Sequence, residues 1–215
     1  VPDRDEELIY GFDPLCGWCF AFGPTYRAIR AAHPDLPVQM RYGGLVLGER
    51  VGPIAGHRDY LLRGLEQVRQ TAGVAPGAAF LEGLLAEGTY VSDSEPPCRA
   101  IFVMERLAPA AAADYAAGLP EAHYVDGKPL DDVEVLAALA ARHGADPGAF
   151  ADLWLADEAR DGTQRAFAAA RAAGIRSYPT LLYRRGAQLH QVAQGFAPPA
   201  LAVRHVTALR EGVRA

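Results

Sequence analysis

Cysteine is scarce in this sequence: three residues in 215 are too few for a disulfide framework and suit a reducing compartment. Lysine is scarcer, with Lys128 alone, and no basic cluster offsets a net charge of -5. Nucleic acid is therefore not an expected partner. Half of the residues are hydrophobic, yet no uninterrupted apolar run reaches the roughly 18 residues that span a bilayer, so a membrane partner is not expected either. Val1-Pro2-Asp3-Arg4 is polar and acidic where a secretory signal needs an apolar segment. The expected location is cytoplasmic, or periplasmic for a chain that has been trimmed. His33, His57, His123, His143, His190 and His205 stand singly and there is no second CxxC, so a four-ligand zinc site has nothing to draw on. Neither a metal nor an organic cofactor is expected. Repeats are absent too, and alanine-rich stretches such as Ala110 to Ala113 report only helix propensity.

What is present is Cys16-Gly17-Trp18-Cys19, two thiols three positions apart. The preceding Leu8-Ile9-Tyr10-Gly11-Phe12 has the β-branched and aromatic content of a short strand, which Asp13-Pro14 breaks. From Phe20 to Ala31 the apolar residues recur at helical spacing, so Cys16 is expected at a helix start. Unpaired N–H groups and the helix dipole favour an anion there, and cysteines so placed fall from a pKa near 8.5 to about 3.5–7.5. Cys16 is accordingly the expected nucleophile. Cys19, one turn further in, is the expected resolving thiol, which attacks the mixed disulfide on Cys16 and releases the partner.

Val38-Gln39-Met40-Arg41-Tyr42 alternates like a strand parallel to the first after a helical crossover. From about residue 50 to residue 173 strand signals nearly vanish. Helices are expected over His57 to Ala72, around Phe80 to Leu85, over Val133 to His143 after an Asp131/Glu134 capping box, from Pro147 to about Leu155, and from Asp157 to Ala173. Pro109 and Pro120 read as interruptions between them. Strands return at Thr180-Leu181-Leu182-Tyr183 and Gln188 to Val192, joined by Arg184-Arg185-Gly186-Ala187 as a solvated turn, and a last helix follows Pro198-Pro199.

Asp13-Pro14-Leu15-Cys16-Gly17-Trp18-Cys19, taken with Gly174-Ile175-Arg176-Ser177-Tyr178-Pro179-Thr180-Leu181-Leu182, resembles the DsbA-like branch of the thioredoxin superfamily, in particular its FrnE-like members. The resemblance covers essentially the whole chain. It implies an α/β fold in which an all-helical domain is inserted into a thioredoxin-like core, with 1–48 and 174–215 as the core and 49–173 as the insertion. It also implies that Pro179 is cis and faces the CxxC, that Tyr178 offers its backbone to an extended substrate, and that Asp13 fills the family's acidic position. The activity implied is thiol:disulfide exchange with protein or low-molecular-weight partners, plus a redox partner that regenerates the pair.

Among the remaining residues, Trp18 is expected to project from the CxxC turn and join Tyr178 and Pro179 in the substrate groove. Helix-end N–H groups are expected to hold most of the Cys16 thiolate's charge. Cys98, at a capped helix start after Ser94, is expected to be packing. Glu6 or Glu7 is a candidate proton relay. Two rival readings are a glutathione-transferase-like or isomerase enzyme on the same fold, against which Cys19 argues, and a non-catalytic peptide-binding or chaperone module using the groove by strand addition.

Overall fold

The computed structural model describes residues 6–212, so the Val1-Pro2-Asp3-Arg4 start lies outside the described residues. Strand β1 (Glu6–Phe12) runs into helix α1 (Gly17–Ala32) and then β2 (Val38–Tyr42), which pairs parallel to β1 with Leu8 opposite Val38 and Phe12 opposite Tyr42. Near the other end of the chain, β5 (Thr180–Arg185) pairs antiparallel with β1, setting Gly11 opposite Thr180, and β6 (Gln188–Gln194) completes a sheet of order β2-β1-β5-β6. Helix α9 (Pro199–Arg210) packs on α1. This sheet order, with α1 and α9 packed together, is the core that the sequence resemblance implies.

Alternation in β1 explains the packing. Leu8, Tyr10 and Phe12 are buried, and the Tyr10 ring stacks on Tyr26 of α1 with centroids 5.4 Å apart. Phe22, Ile29, Leu181, Tyr183 and Val206 join the same core. Each such side chain withdrawn from water contributes about 1.5–3 kcal/mol. The opposite side of α1 carries Phe20 and Ala21 into a second cluster with Leu65, Val68 and Phe80, so one helix serves two cores.

Between β2 and β5 come β3 (Gly52–Pro53), α2 (Arg58–Ala72), a wide π-type turn (Ala79–Leu84) leading to α3 (Leu85–Glu87), β4 (Val91–Ser92), α4 (Glu95–Leu107), α5 (Ala112–Tyr124), α6 (Val133–Ala141), α7 (Pro147–Leu155) and α8 (Asp157–Ala172). The insertion is thus not all-helical: β3 and β4 form a two-residue antiparallel ladder, too short for period-2 alternation to register in sequence. Pro120 does not interrupt. It lies inside α5, where it removes one N–H without stopping the helix. The α6 cap is Asp132 rather than Asp131: Asp132 holds the extended backbone that precedes a first turn, and its carboxylate accepts from the N–H groups of Glu134 and Val135.

The β5–β6 turn is Gly186-Ala187 alone, with Gly186 at φ +56°. Arg184 and Arg185 belong to β5 and are not merely solvated, because the β1 pairing sets them beside Glu7 and Glu6. Arg184 reaches Glu7 at 2.8 Å, and Arg185 and Arg210 both bond Glu6. Burial opposes the Glu6 carboxylate, yet the two guanidiniums hold it below the usual carboxylate range. Glu6 and Glu7 therefore brace the far end of β1, opposite the end that leads to Cys16, and are not placed as a relay.

Candidate functional site

Cys16 is the N-cap of α1, with φ −83° and ψ 114°, and its carbonyl accepts from the N–H groups of Cys19 at 2.9 Å and Phe20 at 3.1 Å. The Cys16 N–H in turn donates to the Asp13 carbonyl at 3.1 Å, which closes a tight turn between β1 and the helix. Both thiols are buried, Cys16 at 6% exposure and Cys19 at 1%, so the nucleophile candidate is the outer member of a recessed pair. All three cysteines are free thiols.

The two thiols are pushed apart in pKa. Cys16 is lowered, first by a hydrogen bond from the Cys19 thiol and then by the N–H groups of Cys19 and Trp18, against burial and the Asp13 charge. Cys19 is raised well above the ordinary thiol value by burial, with the Cys16 charge adding to it. This corrects the expected source of stabilisation: the neighbouring thiol one turn on leads, and the helix-end N–H groups assist.

From the other end of the sequence, the loop before β5 arrives at the pair. The Tyr178-Pro179 bond is cis, and the Tyr178 carbonyl accepts from the Cys16 thiol at 3.5 Å. The loop is held by its own bonds. Gly195 N–H donates to the Pro179 carbonyl at 2.8 Å, and the Thr180 hydroxyl donates to the Ser177 carbonyl at 2.7 Å. Tyr178 is half-buried with its ring over Gly43. Trp18 is also half-buried, and it packs against both hydrophobic clusters where outward projection was expected. The reason is that α1 lies between those clusters.

Asp13 is fully buried and tied to three segments at once: its carboxylate accepts from Leu15 N–H at 2.9 Å, Leu45 N–H at 2.6 Å and the Ser94 hydroxyl at 3.0 Å. Burial pushes the carboxyl up to about 6, and those donors limit the rise. Ser94 stands at the α4 N-cap position, but its side chain does not cap. Its hydroxyl serves Asp13 and accepts from Val46 N–H at 2.9 Å. Sequence showed Asp13 and Ser94 separately; nothing local announces a bond between residues 81 apart. The Tyr124 hydroxyl, donating to the Leu15 carbonyl at 2.6 Å, is a further support of the turn that local pattern does not reveal. Cys98 is fully buried, and burial raises its thiol well above the ordinary value. No group of three His, Cys, Asp or Glu among the described residues is placed to hold a metal, and no described helix is long and apolar enough to cross a membrane.

Comparison with known proteins gives a consistent picture. Residues 8–197 match the family described as the DSBA-like thioredoxin domain. Among solved structures, the chain is similar to the cytosolic disulfide reductase DsbM from Pseudomonas aeruginosa, with 28% identity, a TM-score of 0.81, and coverage of 95% of this chain and 99% of that one. The same reductase solved with GSH gives 27% identity and a TM-score of 0.78 over 95% of this chain and 99% of that one. A candidate protein disulfide isomerase from Nitrosomonas europaea gives 25% identity and a TM-score of 0.79, covering 97% of this chain and 99% of that one. No curated protein matches.

Proposed function

The chain belongs to the family of DSBA-like thioredoxin domains, and on that footing we propose that it is a thiol:disulfide oxidoreductase with Cys16 as nucleophile and Cys19 as resolving thiol. The observation that carries this is the arrangement of Cys16: an N-cap thiol, lowered in pKa by the Cys19 thiol and set against the Tyr178 carbonyl. Trp18, Tyr178 and Pro179 form the groove that receives the substrate. The likeness to a cytosolic disulfide reductase, and the same likeness with GSH present, favour substrates that include low-molecular-weight thiol disulfides and a reducing, cytoplasmic setting.

The chemistry balances without a cofactor. The Cys16 thiolate attacks one sulfur of a disulfide RSSR, forming Cys16–S–S–R and expelling RS⁻. Cys19 then gives its proton to that thiolate or to water and attacks the Cys16 sulfur, so R leaves as a second thiolate and the Cys16–Cys19 disulfide closes. Two electrons have passed from the dithiol to the substrate. A partner dithiol, or two equivalents of a monothiol, must return them by the reverse sequence. The lowered Cys16 pKa favours the attacking anion in the first step; in the second, Cys16 is the sulfur attacked and R is the group that leaves.

The test is a trap. Cys19→Ser exposed to glutathione disulfide should hold one glutathione on Cys16, visible by mass spectrometry as a stable adduct, while Cys16→Ser should neither turn over nor form it. A stable adduct on Cys19 in Cys16→Ser would mean that the roles are reversed.

A further inference from the structure

A cavity opens beside the redox turn, between the residues after β2, the start of α2 and the end of α5. Its floor is apolar, formed by Leu15, Leu45, Val46 and Ile54, and its volume is about 210 Å³. Sites for whole drug-sized ligands run from about 300 Å³ upward, so this one has room for part of a small molecule. Leu15 immediately precedes Cys16, and its carbonyl is held by the hydroxyl of Tyr124, which also lines the cavity. One wall is therefore continuous with the nucleophile's own turn.

The charge of the walls is unlike that of the protein. The chain carries a net charge of -5, yet among the described residues no acidic side chain lines this cavity, whereas Arg50 and His57 stand exposed at its mouth. Glu49 and Asp59 adjoin the rim in sequence but do not line it. The Arg50 charge reaches inward, since it helps hold the Asp13 carboxyl down. At the inner wall sits His123, 2% exposed, whose Nδ1 lies 3.1 Å from the Lys128 carbonyl. A carbonyl only accepts, so Nδ1 carries the proton. Burial keeps the ring neutral at pH 7, and Nε2 is left as an acceptor for an N–H or O–H group.

We propose that this cavity recognises the non-reacting part of a small anionic disulfide, a carboxylate-bearing low-molecular-weight thiol in its oxidised form, with Arg50 as the specificity residue. This rests on the exchange chemistry assigned above to Cys16. The apolar floor takes the carbon skeleton, Arg50 the carboxylate, and His123 an amide or amine hydrogen, while the disulfide extends over Leu15 to Cys16. Sulfur chemistry itself is unchanged by the cavity. Its contribution is to the substrate's apparent affinity, where an exposed cation acts on a charged partner.

Three small disulfides that differ in charge test it: glutathione disulfide (anionic), bis(2-hydroxyethyl) disulfide (neutral) and cystamine (cationic). Arg50→Glu should raise KM for glutathione disulfide about tenfold with kcat nearly unchanged, leave the neutral disulfide as it was, and lower KM for cystamine. Equal effects on all three, or none on glutathione disulfide, would overturn the proposal. Reduction of insulin disulfides should be unaffected; a loss as large as for glutathione disulfide would mean that the cavity takes an acidic peptide segment instead. Calorimetry with S-methylglutathione, which has no disulfide to exchange, reads the cavity without the chemistry. Wild type should bind it and Arg50→Glu should bind at least severalfold more weakly. Failure of wild type to bind overturns the cavity assignment even if Cys16 proves reactive. Binding by a protein that turns over none of the three disulfides overturns the exchange reading instead.

Discussion

The Tyr178 ring occupies the space that a side chain on Gly43 would need: a Cβ at that position would lie 1.4 Å from the Tyr178 hydroxyl oxygen and 2.2 Å from Cζ. Gly43 directly follows β2 and donates its N–H to the Phe12 carbonyl at 3.3 Å, so its backbone is held by the end of β1. The aromatic ring must yield if the glycine changes.

Gly43→Ala is therefore expected to destabilise the protein by about 1–3 kcal/mol, the usual cost of overpacking, and to lower kcat/KM by displacing the loop that faces Cys16. Tyr178→Ala in the same chain should recover most of the lost stability by vacating the space. Denaturant unfolding of the two single variants and the double variant measures the coupling. Strict additivity would mean that the ring and the glycine do not compete.

Asp13 supplies a prediction with a definite sign. Its carboxyl rises from 3.8 unfolded to about 6 when folded, so between those values the native state holds more protons than the unfolded one. Its contribution is full below about pH 4 and is lost as pH rises through about 6, a change of about 3 kcal/mol. Asp13→Asn has no such titration. Urea unfolding at pH 4, 5, 6 and 7 should show the stability of wild type falling relative to the variant across that range; a constant difference would show that burial does not govern this group.

The two redox thiols should give a stability difference between reduced and oxidised protein that passes through a maximum with pH. Cys16 is lowered, so its contribution grows as pH rises from its folded value and is complete above the unfolded value of about 8.5. Cys19 is raised, so its contribution is complete below about 8.5 and is lost as pH climbs further, because the unfolded thiol ionises while the folded one does not. The disulfide form titrates neither. Unfolding both forms from pH 5 to 10 should place the maximum near the unfolded thiol value, and a monotonic curve would contradict the opposed shifts.

Cys98 has 0% exposure and a thiol raised by burial, so Cys98→Ala should keep disulfide exchange and lose about 1 kcal/mol for the vacated volume. Alkylation of native reduced protein with iodoacetamide should modify Cys16 first and spare Cys98. A folded but inactive Cys98→Ala protein would make this thiol a participant.

The four strands of the main sheet, α1 and the CxxC turn were legible because each rests on local information: alternation in β1 and β2, helical spacing after Phe20, and thiol spacing itself. Caps misled by one residue at Asp131, since Asp131 and Asp132 offer the same side chain and only backbone conformation separates them. Long-range pairs were invisible for a different reason. Arg185 looks like a turn residue until the sheet sets it beside Glu6, 179 positions away. The same applies to the cavity, whose walls come from Leu15, Arg50, His57 and His123; no window of sequence contains them, and a lone histidine carries no mark of the tautomer that its neighbour's carbonyl imposes.

The distance along the chain between Cys16 and Tyr178, 162 residues, has a meaning during biosynthesis. At about 5–20 residues per second, a ribosome delivers both thiols on the order of ten seconds or more before it delivers the loop and strand β5 that lie against them. During that interval the dithiol exists without its groove. A nascent chain at that stage holds two thiols of ordinary acidity, without the loop that lies against Cys16 in the finished fold.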